Sequence, residues 1–261
     1  MKIAKEITIK KYKYKFSVCT LVTNFEEYQA MIDSFLNKGF TEQDTEFLYV
    51  NNSQMNKEDG FTGLNKFIHH SQGEYIILCH QDIRLEFDNK DSLLLKLTEL
   101  SKIDNKWAIV GNAGACQNFS KKYIRISDPH GEDKKIGSFP SKVTSLDENF
   151  ILIKSNANLG LSRDLNGFHF YGTDLCTLAD IRGYTSYVID FHIRHLSPGN
   201  INKYFFECKD SFEKQYSNKL RSRFIQTSCT YMTISSSRFI NFLLKNKYFY
   251  FLKTKFDKIL K

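Results

Sequence analysis

Polar side chains with the capacity for chemistry follow the apolar runs of this sequence at the points where predicted strands end. In open α/β sheets, ligands bind beyond the carboxyl ends of the strands. We therefore expect these side chains to meet in one binding site. The set comprises Thr23 and Asn24, then Asn51, Asn52 and Ser53, then His80, Gln81 and Asp82, and finally His169, Tyr171, Asp174 and His195.

Asp82 lies in the run LCHQDIRL, directly after a predicted buried strand. A carboxylate at this position suits Mg²⁺ or Mn²⁺, and His80 or His195 would complete the coordination sphere because Mn²⁺ accepts imidazole. Such a cation would neutralise a diphosphate leaving group and act as a Lewis acid. The local pattern also fits an Asp that only caps the turn, and taken alone it favours that simpler interpretation.

Apolar, β-branched runs alternate with segments of helical periodicity. The predicted strands are 16–22, 46–50, 74–80, 107–115 and a last one within 185–199, while 143–155 is strand and turn. The predicted helices run from an N-cap at Asn24 to Gly39 and over 61–71, 92–103 and 173–182. This alternation predicts a doubly wound, mostly parallel α/β sheet. Residues 116–142 are polar, with at most a short strand at 123–127, as expected for a functional loop or lid.

Charge is concentrated at the two ends of the chain. Of the net +8, residues 1–15 carry +5 and residues 238–261 carry +6, which leaves −3 for residues 16–237. A protein that binds nucleic acid would line its fold with cations. We therefore expect no nucleic-acid partner.

The basic tail at 238–261 also contains seven aromatic residues, a mixture that suits an anionic membrane surface. A terminal helix that packs its Phe face on the body of the protein is an equally good interpretation. No apolar stretch is long enough to span a bilayer. Residues 1–15 lack the apolar region of a secretory signal. The six cysteines show no metal-like spacing, so a reducing, cytoplasmic location is expected.

Four segments in order resemble the family 2-like glycosyltransferases of the GT-A fold. They are GFTGLNKFIHHSQGEYIILCHQDIRL, WAIVGNAGA, NGFHFYGTDLC and RHLSPG. The chain is most similar to a bacterial subgroup with His-Gln-Asp in place of the usual Asp-any-Asp motif. The resemblance covers residues 16–200 and implies a GT-A domain there. A basic extension (1–15) would precede it and a helical, basic and aromatic extension (201–261) would follow.

The resemblance implies a role for each matching residue at the donor site. Asp82 matches the aspartate that binds metal and diphosphate, and His195 matches a later position with the same task. His80 stands where the first aspartate of the motif usually stands, which leaves one carboxylate rather than two. The other implied donor-binding residues are Thr23 and Asn24 on the nucleotide loop, Asn51 near the base, Asn65 near ribose and base, and Gln81 within the motif.

The resemblance places the catalytic base of an inverting enzyme at Asp174, at the start of a helix. A base there would take the proton of the acceptor hydroxyl as this attacks the anomeric carbon. The alternative is that Asp174 only caps its helix. His169, Tyr171 and Asp147 are the expected acceptor contacts, with Glu148 as a neighbouring candidate. Phe168 and Phe170 could stack on sugar rings.

The resulting hypothesis is an inverting glycosyltransferase that requires Mn²⁺ or Mg²⁺. It would move a sugar from a nucleotide-sugar donor, with UDP-sugars favoured, to a hydroxyl of a bacterial surface glycan or glycolipid such as lipopolysaccharide or capsule. Its expected location is the cytoplasm or the inner face of the inner membrane. Two alternatives remain: an inactive sugar- or lipid-binding module, and a sugar nucleotidyltransferase. The latter would normally have a Gly-rich basic loop after the first strand, which TNFEEY is not.

Overall fold

A computed structural model describes residues 3–4, 6–8, 10–117, 121–199 and 201–245. The chain divides into two compact units, Met1–Lys209 and Asp210–Lys261. Residues 246–261 of the predicted membrane-binding tail lie outside the described residues.

The first unit is a mixed α/β structure. In chain order its strands are β1 (Tyr14–Val22), β2 (Thr45–Asn51), β3 (Gly73–Cys79), β4 (Ile83–Arg84), β5 (Trp107–Gly111), β6 (Ala113–Ala115), β7 (Lys122–Asp128), β8 (Gly131–Ile136), β9 (Ser141–Val143), β10 (Ser145–Leu146), β11 (Phe150–Lys154), β12 (Thr185–Val188) and β13 (Ile193–His195). Its helices are α1 (Phe25–Asn37), α2 (Gly60–His70), α3 (Lys90–Ile103) and α4 (Tyr171–Ile181), and α5 (Lys203–Lys219) begins in it.

The central sheet has the order β2-β1-β3-β11-β5-β12-β9. Strand β1 pairs in parallel with β2 and β3, and β5 pairs in parallel with β12. Only β11 and β9 run antiparallel to their neighbours. The predicted mostly parallel α/β sheet is therefore confirmed. Parallel strands direct their carboxyl ends to one edge, which is where the polar residues of β1, β2 and β3 emerge.

The core of this unit is continuous because both faces of the sheet are covered. Phe16, Ile77, Val110 and Leu152, on four different strands, are fully buried, as expected for strands that read as unbroken apolar runs. Helix α1 begins as predicted at Asn24, whose side chain accepts from the N–H groups of the first turn.

A smaller sheet crosses the carboxyl edge of the first one, in the order β10-β6-β7-β13-β4, with β8 paired to β7. The predicted strands 107–115 and 185–199 each split in two, because β6 and β13 leave the central sheet to join this second one. The predicted loop at 116–142 contains a β7–β8 hairpin. Strand β8, GEDKKI, is charged and lacks the alternation of apolar residues that would have predicted a strand there.

The described part of the second unit contains the end of α5, the antiparallel hairpin of β14 (Arg223–Gln226) and β15 (Tyr231–Ile234), and α6 (Arg238–Lys245). Helices α5 and α6 agree with the helical extension predicted over 201–261, whereas the β14–β15 hairpin was not predicted. None of the helices among the described residues combines the length and apolar character needed to cross a membrane.

Candidate active site

Three predicted metal ligands meet at the carboxyl edge of the central sheet. His80 follows β3, Asp82 precedes β4, and His195 ends β13, which pairs with β4. The His195 Nε2 atom lies 3.4 Å from Asp82 Oδ1 and 3.4 Å from His80 Nδ1, and His80 Nδ1 lies 3.9 Å from Asp82 Oδ1. One ligand atom from each residue can therefore face a common point.

A hydrogen bond orients the His80 imidazole toward that point. The Tyr171 hydroxyl donates to the Glu148 carbonyl oxygen (3.3 Å), so its oxygen can accept from His80 Nε2, which is 3.1 Å away. This arrangement leaves His80 Nδ1 as an unprotonated nitrogen that faces Asp82 and His195. Such an outer contact to the other ring nitrogen commonly fixes a metal-binding histidine. The Ser197 hydroxyl lies 3.2 Å from His195 Nε2, the nitrogen that faces the common point.

The chemistry of this donor set fits a divalent transition metal. Two imidazoles and one carboxylate suit Mn²⁺ and its neighbours in the periodic table better than Mg²⁺, which prefers oxygen ligands. Burial alone would raise the pKa of Asp82, but the hydrogen bond from His195 and the charges of both histidines hold it well below its usual range. Burial, followed by the charge of His195, lowers the pKa of His80. Burial alone would lower the pKa of His195, but the hydrogen bond to Asp82 and the charge of Asp82 raise it. Metal binding requires an ionised carboxylate and neutral imidazoles, so an ion would displace the proton of His195.

The metal-ligand group opens into a cavity of about 810 Å³, within the usual range for small-molecule sites. Its wall includes His80, His169, Tyr171, His195, Asp147, Glu148, Asn149, Asp128, Phe168, Ser197 and Phe205. A second cavity of about 320 Å³ shares Asp147, Glu148 and Phe205 with the first. The two carboxylates therefore stand where one cavity passes into the other.

Asp147 and Glu148 differ in their surroundings, although they are adjacent in the turn between β10 and β11. Asp147 is exposed, and its Oδ1 accepts from the backbone and side-chain N–H groups of Asn149. Glu148 Oε1 accepts from the Gly172 N–H at the start of α4 (3.3 Å). Burial and the neighbouring charge of Asp147 raise the pKa of Glu148 to about 8. A carboxyl group with such a pKa can serve as a general base near neutral pH.

Aromatic side chains line the passage between the two cavities. Phe205 lies in the first turn of α5. Its ring centroid is 4.8 Å from that of Phe170 and 5.2 Å from that of His169. Phe170 has a left-handed backbone (φ 68°), an unusual conformation for a bulky residue and one that occurs at functional sites. Rings in this position provide flat apolar surfaces in the cavity walls.

Asp174, the predicted base, lies away from both cavities. This residue is 0% exposed, and its two carboxylate oxygens accept from the Ser162 backbone N–H (2.7 Å) and hydroxyl (2.6 Å). It is absent from the walls of both cavities. Asp174 therefore ties α4 to the preceding loop, and Glu148, in its neighbourhood along the chain, presents a carboxyl group to the site instead.

Asn65 also differs from its predicted role at the donor. Its side chain makes two hydrogen bonds with the backbone of Leu161, with Oδ1 accepting (2.8 Å) and Nδ2 donating (3.1 Å). It lines a separate cavity beside His69 and Ser155, and it is not part of the wall that contains His80. Asn65 thus joins α2 to the loop at 158–165.

The remaining predicted donor residues lie at the sheet edge without lining the large cavity. Both polar atoms of the Gln81 side chain form hydrogen bonds within the protein. Its Oε1 accepts from the N–H groups of Thr23 (2.8 Å) and Asn24 (3.0 Å), and its Nε2 donates to Thr23 Oγ1 and Glu27. This clamp joins the turn after β1 to the turn after β3. Asn51 is exposed and accepts from Ser53.

Several cavity residues were not singled out from the sequence. Asp128 ends β7 and pairs with Lys134, Asn149 follows the two carboxylates, and Phe205 comes from α5, which had been assigned to the extension. The polar character of 116–142 was the one signal for Asp128, and the Ser-Pro-Gly of RHLSPG was the signal for Ser197. Phe205 is brought in by tertiary packing.

Comparison with known proteins places the chain in a family. No family model matches it. It is 34% identical over 206 residues to the protein named "ATP synthase subunits region ORF 6" of Fuscovulum blasticum, an alignment that covers 77% of this chain and 83% of that protein. The chain belongs to the same family as this protein, whose name states no reaction.

Among solved structures, the chain is similar to the mannosyltransferase PcManGT from Pyrobaculum calidifontis in complex with GDP-Man and Mn²⁺. The identity is 13% and the TM-score 0.51, with 79% of this chain and 65% of that chain covered. It also matches GalNAc-T7 with UDP, GalNAc and Mn²⁺ at 8% identity and a TM-score of 0.49, over 72% of this chain and 45% of that one. The chain thus spans less than two thirds of each. The likeness to PcManGT establishes a fold of the GT-A type.

Proposed function

We propose that this protein is an inverting glycosyltransferase that requires a divalent metal and a nucleotide-sugar donor. The observation that carries the proposal is the His80, Asp82 and His195 group. It lies at the carboxyl edge of a GT-A type sheet and opens into a cavity with a carboxyl pair in its wall. A metal ligand set and a separate base are the two parts that such a transfer needs.

The three ligands would hold Mn²⁺ or a similar ion, which supplies charge neutralisation and Lewis acidity toward a diphosphate. Two neutral imidazoles and a single carboxylate leave the ion with more positive charge than two carboxylates would. That excess favours an anionic ligand at the same point. The fold neighbour PcManGT was solved with GDP-Man and Mn²⁺, which supports a nucleoside diphosphate sugar as donor.

Glu148 is the residue we assign as the base. In the transfer, the acceptor oxygen forms a bond to the anomeric carbon while the bond from that carbon to the diphosphate oxygen breaks. The acceptor proton passes to the Glu148 carboxylate, and the nucleoside diphosphate leaves with the bonding electron pair. Asp147, on the other side of the shared wall, accepts a hydrogen bond from the acceptor sugar. This step inverts the anomeric configuration because attack and departure occur on opposite faces.

We place the acceptor in the smaller cavity, and the residues of that cavity support this placement. Its floor contains Ala113, Gly114 and Ala115, which leave room for a ring, and Phe170 forms part of its wall. A Cβ at Gly114 would come within 2.4 Å of the Ser145 carbonyl oxygen, so only glycine fits there. His169 and Tyr171 contact the acceptor from the side of the larger cavity. The proposed acceptor is a bacterial surface glycan or glycolipid, modified on the cytoplasmic side.

A transfer and hydrolysis assay with UDP-, GDP- and CMP-sugars tests the proposal, with Mn²⁺ or excess chelator. We expect one donor to be consumed in a metal-dependent manner, and Asp82→Asn to abolish that turnover. Asp180→Asn, an exposed carboxylate of α4, is the matched control. Metal-dependent binding without turnover would instead indicate an inactive module. Release of pyrophosphate from a nucleoside triphosphate and a sugar phosphate would indicate a nucleotidyltransferase.

A further inference from the structure

The second compact unit exposes apolar side chains that its own hydrogen-bonded elements leave uncovered. Phe239 and Phe242 on α6 are 70% and 75% exposed, and they lie three residues apart, which places them on one side of the helix. Leu220, Met232 and Ile234 are also exposed. Single exposed apolar residues are ordinary, whereas five within 23 residues of one unit form a surface that calls for a partner.

The hairpin register shows that part of this surface is one continuous face. Arg223 pairs with Ile234, and Ile225 pairs with Met232. Directly opposed residues, and residues two apart on a strand, point to the same side of a sheet. One face of the hairpin therefore presents three apolar side chains beside a guanidinium group. On α6, Arg238 lies one turn before Phe242, which repeats the combination of cation and apolar group.

The charges of this segment have a single sign. Residues 220–245 contain Arg221, Arg223, Arg238 and Lys245 and no Asp or Glu. Arg221 and Arg223 donate to the backbone carbonyls of Asn218 and Lys219 near the end of α5, and no ion pair to either is found among the described residues. The uncompensated positive charge selects an anionic partner.

From these observations we propose that residues 220–245 form a docking surface for an anionic lipid bilayer. The guanidinium groups would lie at the headgroups while the two phenylalanine rings enter the interface. A second copy of the chain is disfavoured because it would bring like charges together. A nucleic acid would satisfy the cations but would leave Leu220, Met232 and Ile234 without a matching apolar surface. This proposal does not rest on the assigned enzymatic reaction.

Co-sedimentation of the full chain with vesicles tests the proposal. The vesicles contain phosphatidylcholine alone or with 30 mol% phosphatidylglycerol (about the anionic fraction that gives a strong surface potential). We expect binding to the anionic vesicles only, and a steep loss of binding between about 0.1 M and 1 M salt, where the Debye length falls from about 10 Å to about 3 Å.

Two pairs of variants locate the surface. Phe239→Ser/Phe242→Ser should weaken binding by roughly 100-fold, at about tenfold for each aromatic ring that is buried. Leu95→Ser/Ile103→Ser, which removes two exposed apolar residues of α3, is the matched control and should bind like wild type. Arg223→Gln/Arg238→Gln should weaken binding about 25-fold, at about fivefold per cation. Lys102→Gln/Lys106→Gln, on and after α3, is its control.

Three results would overturn the proposal. The first is equal binding to both kinds of vesicle, or vesicle binding that the Phe239 and Phe242 substitutions do not change. The second is a clear fall in melting temperature of the Phe variant, which would mean that these rings are packed within the protein. The third is a dimer in analytical ultracentrifugation, or a complex with a single-stranded RNA, that the same variant abolishes while vesicle binding is absent.

Discussion

At the scale of single residues, the proposed chemistry depends on one carboxyl group with an unusual proton affinity. Glu148→Gln keeps the shape of the side chain but removes its capacity to accept a proton. General-base catalysis contributes roughly 10²–10⁴ in rate, so we expect turnover to fall by about that factor while donor affinity stays near that of wild type. Steady-state kinetics and donor titration measure the two quantities separately. Turnover within a few-fold of wild type would exclude Glu148 as the base.

The raised pKa of Glu148 gives a prediction for pH dependence. A carboxyl group whose pKa lies at about 8 is mostly protonated at pH 7 and gains its basic form as the pH rises. The kcat/KM should therefore increase with pH and reach half of its plateau near pH 8. Asp147→Asn removes a charge that raises this pKa, so its half-maximal pH should be lower than that of wild type.

The control for this experiment is Asp180→Asn, which should leave the profile unchanged. A profile that is flat between about pH 6 and 9 would contradict the assignment of Glu148. If the profile rises near pH 8 but is the same in Asp147→Asn, Glu148 would still be the base. The charge of Asp147 would then not influence its pKa, contrary to the proposed coupling.

Sequence patterns predicted that His80, Asp82 and His195 would lie together, but they did not predict which way Asp174 faces, for a physical reason. His80 and Asp82 directly follow an unmistakable buried strand, and His195 ends another, so the topology of the sheet brings them to one edge. A carboxylate at a helix start, by contrast, can face inward or outward. Asp174 faces inward to Ser162, and its sequence context is the same in either case.

At the scale of elements, we expect Asp174 to contribute to the stability of the fold rather than to activity. Its carboxylate binds both donors of Ser162 inside the protein, and hydrogen bonds to a charged group are worth about 1.5–3 kcal/mol. Asp174→Asn should lower the free energy of unfolding by about 1–2 kcal/mol, measured by urea titration, because a neutral amide forms weaker hydrogen bonds with Ser162 than a carboxylate does. Asp180→Asn, on the exposed side of the same helix, should change it by less than about 0.5 kcal/mol.

The two functions of a residue at this position can be told apart in the same sample. If Asp174 only joins α4 to the 158–165 loop, the folded fraction of Asp174→Asn should turn over at a rate near that of wild type. An unchanged unfolding free energy together with lost turnover would restore Asp174 as the base.

Helices and central strands were predictable because their signals are local. Asn24 caps α1 as expected, and continuous apolar runs gave β1, β3 and β11. Strand β7 agrees with the short strand expected at 123–127. Strand β8 and the β14–β15 hairpin were missed because their strands carry charges or polar residues on both faces and are specified by pairing with a neighbour. Asp128, the last residue of β7, lies one position beyond the expected strand and was not singled out as a site residue.

At the scale of the whole molecule, the strand order explains why residues far apart in the chain form one site. His80 and His195 are separated by 115 positions, yet β13 pairs with β4 immediately after the His-Gln-Asp turn. The second sheet contributes Ile126 and Asp128 of β7 to the wall of the cavity. The GT-A type fold thus provides the platform, and the donor and acceptor are proposed from the side chains on it.

Calorimetric titration of UDP and GDP into the full chain, with and without Mn²⁺, tests the central claim most directly. The account predicts that at least one nucleotide binds only with Mn²⁺, and that Asp82→Asn weakens this binding by about tenfold or more, since even residues that merely support a metal ligand cost 10–100-fold. His195→Ala should give a milder form of the same defect, and Asp180→Asn should bind like wild type. Nucleotide affinity that is the same with and without Mn²⁺, or unchanged in Asp82→Asn, would contradict the account.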